Sequence, residues 1–307
     1  MKLSIVSTLY NSAEYVEEFT KRCQKVAQQL VGQDYEIILV DDGSPDNSLE
    51  IAIELCKTNK SLRVIELSRN FGHHQAMTAG LAESKGQYVF LIDSDLEEEP
   101  EWLSLFYNKL LKTGADVIYG QQKSRKGNFF EKISGHIYYF ILNKILHFKH
   151  PKNMITARLM NRKFVNSFLQ FPERERVISC LWILTGFRQL PYLVNKRSKG
   201  KTSYTFFKKI SHCINSITSF SVMPLYFIFI LGMLISMVSL CYVLFLLASK
   251  LLYNKLEGWS SIMASIWLIG GLLISFVGVI GIYLGKSFIE QKKRPFYIIN
   301  RKYFFEE

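Results

Sequence analysis

Acidic side chains close two apolar runs of the chain. Asp41 and Asp42 follow one run, and Asp93 and Asp95 follow another. In an open α/β sheet the carboxyl ends of the strands form the ligand crevice, so carboxylates there face a ligand rather than the core. Residues i and i+2 of an extended backbone point to the same side, so both carboxylates of an Asp-x-Asp pair can face the ligand, one holding a divalent ion while the other reaches a sugar. The oxygen ligands suit Mg²⁺ or Mn²⁺, and the pattern indicates a nucleotide-binding enzyme.

The elements that position these carboxylates alternate between strand and helix. Apolar runs predict strands over residues 3–9, 35–40, 62–67, 88–93 and 116–119. Helical patterns predict helices over residues 13–30, 74–84 and 100–112, the first capped by Asn11 or Ser12. A further predicted helix runs to Lys57 and can be capped by Asp46 and Asn47. This alternation implies parallel βαβ units with right-handed crossovers, and hence an α/β fold.

The C-terminal third of the chain carries two long apolar segments. Residues 222–249 and 258–285 contain no charged side chain, and each segment exceeds the ~20 residues that a helix needs to cross a bilayer. Lysines and arginines flank the pair, whereas the connection between the segments holds only Lys250 and Lys255 as basic residues. The positive-inside rule therefore predicts two transmembrane helices with both flanks in the cytoplasm. We expect a multi-pass membrane protein with a cytosolic catalytic domain.

Charge and cysteine content argue against a nucleic-acid-binding protein and a disulfide-stapled one. The formal net charge is +12, and many of the basic residues lie beside the apolar segments. No zinc, helix-turn-helix or ribonucleoprotein signature accompanies them, so we expect no nucleic-acid partner. The five cysteines contain no CxxC pair and are odd in number, which predicts small buried residues in a reducing compartment.

Two amphipathic stretches have aromatic and aliphatic residues at helical spacing, interleaved with lysines. One runs from Phe129 to Phe148 and the other from Tyr204 to Phe220. Such faces can lie in the headgroup layer of a membrane, or they can pack on the sheet or on one another, and the sequence leaves both alternatives open. We assign residues 204–221 to a juxtamembrane amphipathic helix.

Several short motifs occur in order along the chain. They are Thr8-Leu9-Tyr10-Asn11, Val40-Asp41-Asp42-Gly43-Ser44, Ser68-Arg69-Asn70-Phe71-Gly72, Asp93-Ser94-Asp95-Leu96, Lys123-Ser124-Arg125-Lys126-Gly127 and Arg158-Leu159-Met160 before Arg162-Lys163. Each motif is weak alone, but their order and spacing resemble the family 2 glycosyltransferases of the polyprenyl-phosphate type, such as dolichyl-phosphate-mannose synthases and bactoprenol glucosyltransferases. The resemblance implies a GT-A fold (Rossmann-like), a nucleotide-sugar donor and an inverting transfer to a membrane lipid phosphate.

The resemblance assigns donor and metal contacts to residues at the strand ends. Asp93 and Asp95 match the metal and donor motif and count as catalytic, with Asp95 as the main metal ligand. The donor-binding set is Thr8, Leu9, Tyr10, Asn11, Asp41, Asp42, Arg69, Asp93, Ser94 and Asp95. Simpler roles stay open: a plain turn at Asp42, a capping turn at the acidic pair before Pro100, and a buried structural arginine at Arg69.

The resemblance also assigns acceptor contacts to basic and hydroxyl side chains. The acceptor-binding set is Arg125, Lys126, Arg158, Lys199, Lys201, Ser203 and Tyr204. We expect Arg125 and Arg158 to bind the lipid phosphate and to count as catalytic. Solvated positive-inside charge is an equal explanation for the lysines.

Two groups beside these motifs are interpreted as structural. Adjacent residues at a helix start face different ways, and no further ligand is spaced for a site, so we do not expect His73 and His74 to bind a metal. Glu97, Glu98 and Glu99 are interpreted as charge at a helix N-terminus, where the helix dipole favours it.

One position departs from the family pattern. The Asp of the family's Asp-Phe-Arg-Leu segment is Thr156 here, followed by Ala157. A lipid monophosphate with a second pKa of ~6 is largely dianionic at pH 7, so its oxygen can attack the anomeric carbon without a protein base. We therefore expect catalysis by alignment and electrostatics, through Mg²⁺ and arginines. The sugar stays open, because the missing Asp could also contact donor hydroxyls.

Together with these observations, the resemblance implies an enzyme of the bacterial inner membrane that moves one sugar from a UDP-sugar, with glucose as the default, to undecaprenyl phosphate on the cytosolic membrane face. A flippase and an outward-facing transferase are the expected downstream partners, as in O-antigen modification of lipopolysaccharide; a homo-oligomer and another lipid or glycan acceptor stay open. A processive polysaccharide synthase would need a Gln-x-x-Arg-Trp motif, which is missing from the chain. A degenerate nucleotide-sugar-binding scaffold is the non-enzymatic alternative.

The expected domains are a catalytic domain at 1–203, the juxtamembrane helix at 204–221, transmembrane helices at 222–249 and 258–285, and a cytosolic basic tail at 286–307.

Overall fold

The computed structural model describes residues 1–122, 151, 153–173, 178–195, 218, 222–253 and 258–305. The strands are β1 (Leu3–Leu9), β2 (Tyr35–Asp41), β3 (Leu62–Leu67), β4 (Tyr88–Leu91), β5 (Val117–Gln122), β6 (Met154–Asn161), β7 (Gln189–Val194) and β8 (Ile299–Tyr303). The helices are α1 (Val16–Val31), α2 (Ser48–Thr58), α3 (His73–Glu83), α4 (Trp102–Thr113), α5 (Arg162–Leu169), α6 (Ile178–Leu184), α7 (Met223–Tyr253) and α8 (Trp259–Gln291). The strands and helices predicted before residue 120 are all present, with ends shifted by a few residues.

The described strands form one mixed sheet in the order β7-β5-β6-β4-β1-β2-β3-β8. β1 pairs in parallel with β2 and β4, β2 pairs in parallel with β3, and β5 with β7. β6 and β8 run antiparallel to their neighbours. The predicted parallel βαβ units are therefore confirmed from β1 to β4. The two antiparallel strands lie beyond the alternating pattern, which does not predict them.

The central strands are buried along their whole length because both faces of the sheet are covered. Every residue of β1 and β2 is buried, which explains why apolar residues occupy both faces of these strands instead of alternating with polar ones. On α1 the buried residues Val16, Phe19, Cys23 and Val26 recur at helical spacing and turn one face to the core. Apolar burial, at about 25 cal/mol per Å², fixes such helices on the sheet and so holds the strand ends in place.

The segment between β1 and α1 is a turn and not the start of a helix. α1 begins at Val16, so the predicted start at residue 13 and its predicted cap are wrong. The Ser12 amide donates to Ser48 Oγ at 2.8 Å. The Ala13 amide donates to Asp46 Oδ2 at 3.0 Å. Side chains at the start of α2 thus satisfy the main-chain donors of this turn and connect it to α2.

The chain divides into two compact units. The described strands, β8 included, belong to the first unit, and α7 and α8 belong to the second. Within the described residues, the segment Leu268–Gln291 of α8 is long and apolar enough to cross a membrane, while the apolar stretch found in α7, Met223–Ile235, is shorter. The second predicted span stays a prediction.

The cysteines follow their surroundings in the two units. Cys23, Cys56 and Cys180 are buried, as predicted. Cys241 lies on the exposed surface of the apolar helix α7, so the prediction of burial is wrong for this residue.

The last residues of the chain return to the first unit. β8 pairs antiparallel with β3 and forms one edge of the sheet. From sequence, residues 286–307 are expected as a basic tail, but Ile299–Tyr303 is a strand of the sheet that contains β1 to β7. Its central residues are exposed and charged or polar, as is common on sheet edges, so the segment has no apolar run that would predict a strand.

Candidate functional site

The carboxyl ends of the adjacent strands β4, β1 and β2 meet at one edge of the sheet. In the register of β1 and β2, Leu9 pairs with Asp41. Asp42 follows directly, and its amide donates to the Leu9 carbonyl at 3.0 Å. Asp93 lies just after β4. The strand-end acids therefore share the edge at which open α/β sheets bind ligands.

Asp41 is a buried carboxylate with one oxygen held by the main chain. It is 2% exposed, and its Oδ2 accepts hydrogen bonds from the amides of Gly43 (3.1 Å) and Ser44 (3.3 Å). Its Oδ1 has no hydrogen-bond partner among the residues that the structure describes. Burial raises the pKa of Asp41, the bonds from Ser44 and Gly43 lower it in part, and the charge of Glu66 raises it again. A buried acceptor is costly without a donor, so Oδ1 is a candidate ligand contact.

Asp42 holds the loop that follows β3. Its carboxylate accepts hydrogen bonds from the amides of Phe71 (2.7 Å) and Gly72 (3.0 Å). Burial raises the pKa of Asp42, and these two bonds lower it in part. Gly43 has a φ of +64°, and a Cβ there would meet the Asn70 amide nitrogen at 2.7 Å. The turn at Asp42 and Gly43 therefore holds the loop after β3 close to the strand ends. The alternative of a plain turn at Asp42 does not include this contact.

His73 connects two of the motifs. Its Nδ1 lies 3.0 Å from Thr8 Oγ1, and its Nε2 lies 3.3 Å from Asp93 Oδ1. The ring begins α3 directly after Gly72, so the loop that Asp42 holds also sets the position of the ring. No group of three or more His, Cys, Asp or Glu that could hold a metal occurs in the described part of the chain. The sequence does not predict that His73 links the ends of β1 and β4. The one sequence signal for this role is a polar ring at the first position of a helix, directly after a glycine.

The turn after β4 is buried at its centre and strained at its end. Ser94 is 4% exposed, and its hydroxyl donates to the Thr8 carbonyl at 2.8 Å. Asp95 Oδ1 accepts a hydrogen bond from the Glu97 amide at 3.0 Å. Leu96 has a φ of +58°, a costly conformation for a residue other than glycine and one that clusters at functional sites. The turn does not cap α4, which begins several residues later without a side-chain capping bond.

Glu98 leaves this turn and reaches β6. It is fully buried, and its Oε1 accepts a hydrogen bond from the Thr156 amide at 3.2 Å. The interpretation as helix N-terminal charge is wrong for Glu98, because α4 begins only at Trp102. At Thr156, where the family has an Asp, the main-chain amide is therefore bound by the carboxylate of Glu98, which follows the Asp93-Ser94-Asp95 motif.

Arg158 is enclosed within β6. It is 0% exposed, and its guanidinium lies over the Trp182 ring. Nε donates to the Thr156 carbonyl and Nη2 to the Ile155 carbonyl, both at 3.2 Å. Nη1 has no hydrogen-bond partner within the described ranges. Burial lowers the pKa of Arg158 well below its usual value, and the charge of Glu98 raises it in part. The phosphate contact predicted for Arg158 stays a prediction.

Three predicted donor-binding residues are exposed. Tyr10 is 51% exposed, and Asn11 follows it with a φ of +53°. Arg69 is exposed, and its guanidinium lies 4.1 Å from the Phe71 ring centroid. The alternative of a buried structural arginine at Arg69 is therefore wrong. An exposed aromatic ring such as Tyr10 can stack on a base.

The remaining acceptor residues lie outside the described residues. They are Arg125, Lys126, Lys199, Lys201, Ser203 and Tyr204. Their roles stay predictions, as does the membrane contact of the two amphipathic stretches. Of the predicted acceptor set, the structure describes Arg158.

The sequence that contains these strand-end acids matches a known family. The sequence profile of "Glycosyl transferase family 2" matches residues 4–169. The chain belongs to this family. The matched residues run from β1 to the end of α5 and include every strand-end acid described above. The protein is thus a glycosyltransferase.

Relatives in this family match nearly the whole chain, α7 and α8 included. A Mycobacterium tuberculosis protein named among the glycosyltransferases is 46% identical over 99% of this chain and 89% of its own. An uncharacterized glycosyltransferase of Synechocystis sp. is 34% identical over 98% of this chain and 95% of its own. The prophage bactoprenol glucosyl transferase homolog of Escherichia coli is 29% identical over 98% of this chain and 99% of its own. Among solved structures, Staphylococcus aureus TarS 1-349 in complex with UDP-GlcNAc aligns over 71% of this chain and 66% of its own, at 18% identity and a TM-score of 0.48.

Proposed function

We propose that this glycosyltransferase moves one sugar, glucose by default, from a UDP-sugar to undecaprenyl phosphate. The observation that carries the donor assignment is the buried Asp41 Oδ1, which lacks a partner in the described part of the chain. The names of two relatives support the acceptor. The Escherichia coli homolog and the Shigella flexneri SfII prophage-derived enzyme, both named as bactoprenol glucosyl transferases, are each 29% identical over almost all of this chain.

The donor nucleoside is proposed to bind beside Asp41. A uracil imide or a ribose hydroxyl can donate a hydrogen bond to Oδ1, which would offset part of the cost of burying that carboxylate. Asp42 acts indirectly, because its oxygens are engaged by the loop amides of Phe71 and Gly72. The exposed ring of Tyr10 is available to stack on the base.

A divalent ion fits the residues after β4. Asp93 and Asp95 offer hard carboxylate oxygens, which Mg²⁺ and Mn²⁺ prefer. A set of two carboxylates suits Mg²⁺, which usually completes its shell with substrate phosphates and water. When bound, the ion would neutralise the charge that develops on the leaving diphosphate. The Glu97 amide and the left-handed Leu96 hold Asp95 for this role.

In the proposed reaction an oxygen of the lipid phosphate forms a bond to the anomeric carbon. The bond from that carbon to the diphosphate breaks, its electron pair leaves with UDP, and the anomeric configuration inverts. The attacking monophosphate, with a second pKa of ~6, gives up no proton to the protein at pH 7. This agrees with Thr156, which cannot act as a base. The protein's own contribution is to hold the donor in line for attack.

We also propose that α7 and α8 cross the membrane as a pair. β3 and β8 are hydrogen-bonded neighbours in one sheet, so they lie on the same side of any membrane. Both long helices lie between them in the sequence, so the number of crossings must be even. α8 contains a segment suited to crossing, and α7, with 31 residues, exceeds the ~20 residues that a second crossing requires. The basic flanks support a cytosolic catalytic unit.

The function is tested with purified full-length protein in detergent. Undecaprenyl phosphate and a panel of nucleotide sugars are supplied, and the lipid product is weighed by mass spectrometry. We expect a lipid that has gained one hexosyl unit with a UDP-hexose, and matching release of UDP. The Asp95→Ala variant is the control and should give no product. Transfer to no polyprenyl phosphate with any donor would contradict the proposal and favour the scaffold alternative.

The topology is tested by cysteine labelling in intact cells. In a background without native cysteines, Lys255→Cys should react with an impermeant thiol reagent from outside. The control Lys57→Cys, on the exposed surface of α2, should react only after the cells are opened. Labelling of position 255 only in opened cells would contradict the hairpin.

A further inference from the structure

The C-terminal strand reaches the strand-end acids through the main chain. The Ile298 carbonyl accepts a hydrogen bond from the Ser68 amide at 2.9 Å. Ser68 opens the loop after β3, and amides of this loop bind the Asp42 carboxylate. The pairing of β3 with β8 shifts register between Glu66 and Leu67, an irregularity that often re-aims the chain beside functional sites. The residues around β8 thus set where this loop leaves the sheet.

The same strand reaches Asp41 through side chains. Glu66 on β3 pairs in register with Asp41 on β2. The Glu66 carboxylate accepts hydrogen bonds from Asn300 Nδ2 (2.6 Å) and from the Tyr303 hydroxyl (2.7 Å). The charge of Glu66 adds to burial in raising the pKa of Asp41. Two side chains of β8 therefore hold a carboxylate that lies on the strand next to Asp41 and whose charge acts on it.

We propose that β8 is a positioning element of the donor site. Asn300 and Tyr303 act through Glu66 on Asp41, and the main chain before β8 acts through the loop after β3 on Asp42. No β8 residue needs to touch the donor for this role. The inference rests on the proposed function, because it concerns binding of the nucleotide sugar at the same acids. It assigns to the C-terminal segment a part in donor affinity.

The test compares two variants of the full-length protein that each remove side-chain bonds of β8. The double variant Asn300→Ala and Tyr303→Phe frees Glu66. The control Lys302→Ala removes the bond from Lys302 Nζ to Glu83, at 2.7 Å, on the same strand but away from Glu66. Initial rates are measured against UDP-sugar and against undecaprenyl phosphate, together with UDP affinity and thermal melting.

We expect the double variant to raise the KM for the UDP-sugar and the Kd for UDP by about three- to tenfold, as for the loss of one or two hydrogen bonds. Its kcat and its KM for the lipid should stay unchanged, because the effect is on ground-state donor binding. The control should leave the donor KM within about twofold of wild type, as for an exposed ion pair. Tyr303→Phe alone, which keeps the ring, should shift the donor KM in the same direction and serves if the double variant does not fold.

Two results would overturn the inference. One is an unchanged donor KM in the Glu66-releasing variants while the wild type binds UDP. The other is an equal rise in the Lys302→Ala control, which would show that β8 only stabilises the sheet. A wild-type protein that binds no nucleotide sugar would overturn the proposed function itself, and the inference with it.

Discussion

Asp41 and Arg158 are both buried in the same sheet, and each has one polar atom without a partner among the described residues. Their surroundings differ. Asp41 is the last residue of β2, and its carboxylate is held by a turn at the ligand edge of the sheet. Arg158 lies within β6, with Trp182 over its guanidinium and the charge of Glu98 acting on it. Burial alone therefore does not identify a ligand residue; its position on the strand and the side chains that cover it do.

The largest effect on activity is expected at Asp95, which like Asp41 follows the end of a strand. Asp95→Ala should lower kcat by at least about a thousandfold, because it removes a proposed ligand of the ion that would neutralise the leaving diphosphate. The melting temperature should not change, since no core packing is lost. Glu97→Ala is the matched control, because the amide that holds Asp95 remains. Wild-type turnover by Asp95→Ala under limiting metal would remove Asp95 from the site.

Arg158 gives the next effect, on folding. Arg158→Met should lower the free energy of unfolding by about 1 to 3 kcal/mol, because the buried guanidinium's bonds to the Thr156 and Ile155 carbonyls are lost. Adding Glu98→Gln removes the buried charge that acts on Arg158 and should restore part of this stability, measured by urea unfolding, and with it most of the transfer activity. A double variant that is stable but inactive would break the comparison and support the phosphate contact that the sequence predicts for Arg158.

Asp41→Asn should lower UDP affinity by about ten- to a hundredfold, since a charged hydrogen-bond acceptor is lost. The same change should raise the melting temperature of the ligand-free protein at neutral pH. The pKa of Asp41 is raised in the folded state, so its contribution to stability is present at low pH and is lost as the pH rises through that raised pKa. Asparagine removes this loss. The gain should therefore shrink below the pKa of an unfolded aspartate, about 3.9.

Asp46→Asn is the control for the direction of the stability change that is expected for Asp41→Asn. Burial raises the pKa of Asp46, but the bonds from Ser48 and Ala13 outweigh it and lower the pKa overall. Its contribution to stability is therefore present at neutral pH and is lost as the pH falls. Asp46→Asn should lower the melting temperature where Asp41→Asn raises it. The same direction of change in both variants would contradict the account of strand-end burial.

The smallest effect is expected at Thr156. Thr156→Asp should change the single-turnover rate by less than about threefold, because the lipid phosphate needs no base. The rate of either protein should fall as the pH drops through the second phosphate pKa of ~6. An increase of orders of magnitude in the variant would show that a base is missing from this chain.

The sequence predicts the elements that local patterns encode. Strands buried on both faces are rich in consecutive apolar residues, as in β1, β2 and β4, and strand ends in an α/β sheet are the general place for ligands. These strands and the position of Asp41 therefore follow from pattern alone. Glu98 could not be predicted in this way, since a run of three glutamates before a proline is typical of a helix start. Its burial depends on the nearby main chain of β6, which only the tertiary structure supplies.

β8 and His73 depend on partners far away in the chain. Tyr303 bonds to Glu66 across 237 residues, and no periodicity within Ile299–Tyr303 indicates that pairing. His73 contacts Thr8 across 65 residues. A pair of histidines in sequence suggests a metal site or nothing, whereas the folded chain uses one ring to connect two strand ends. Such contacts are set by topology, which local propensity does not contain.

The late position of β8 in the chain has a consequence for biosynthesis. Translation proceeds from the N-terminus, and β3 leaves the ribosome long before its partner is made. The outer edge of β3 therefore stays unpaired by β8 while the residues of both long helices are synthesised. A chain that stops before Ile299 has all the acids of the donor site but an unfinished sheet. The order of synthesis thus places the production of the helices before the completion of the catalytic unit.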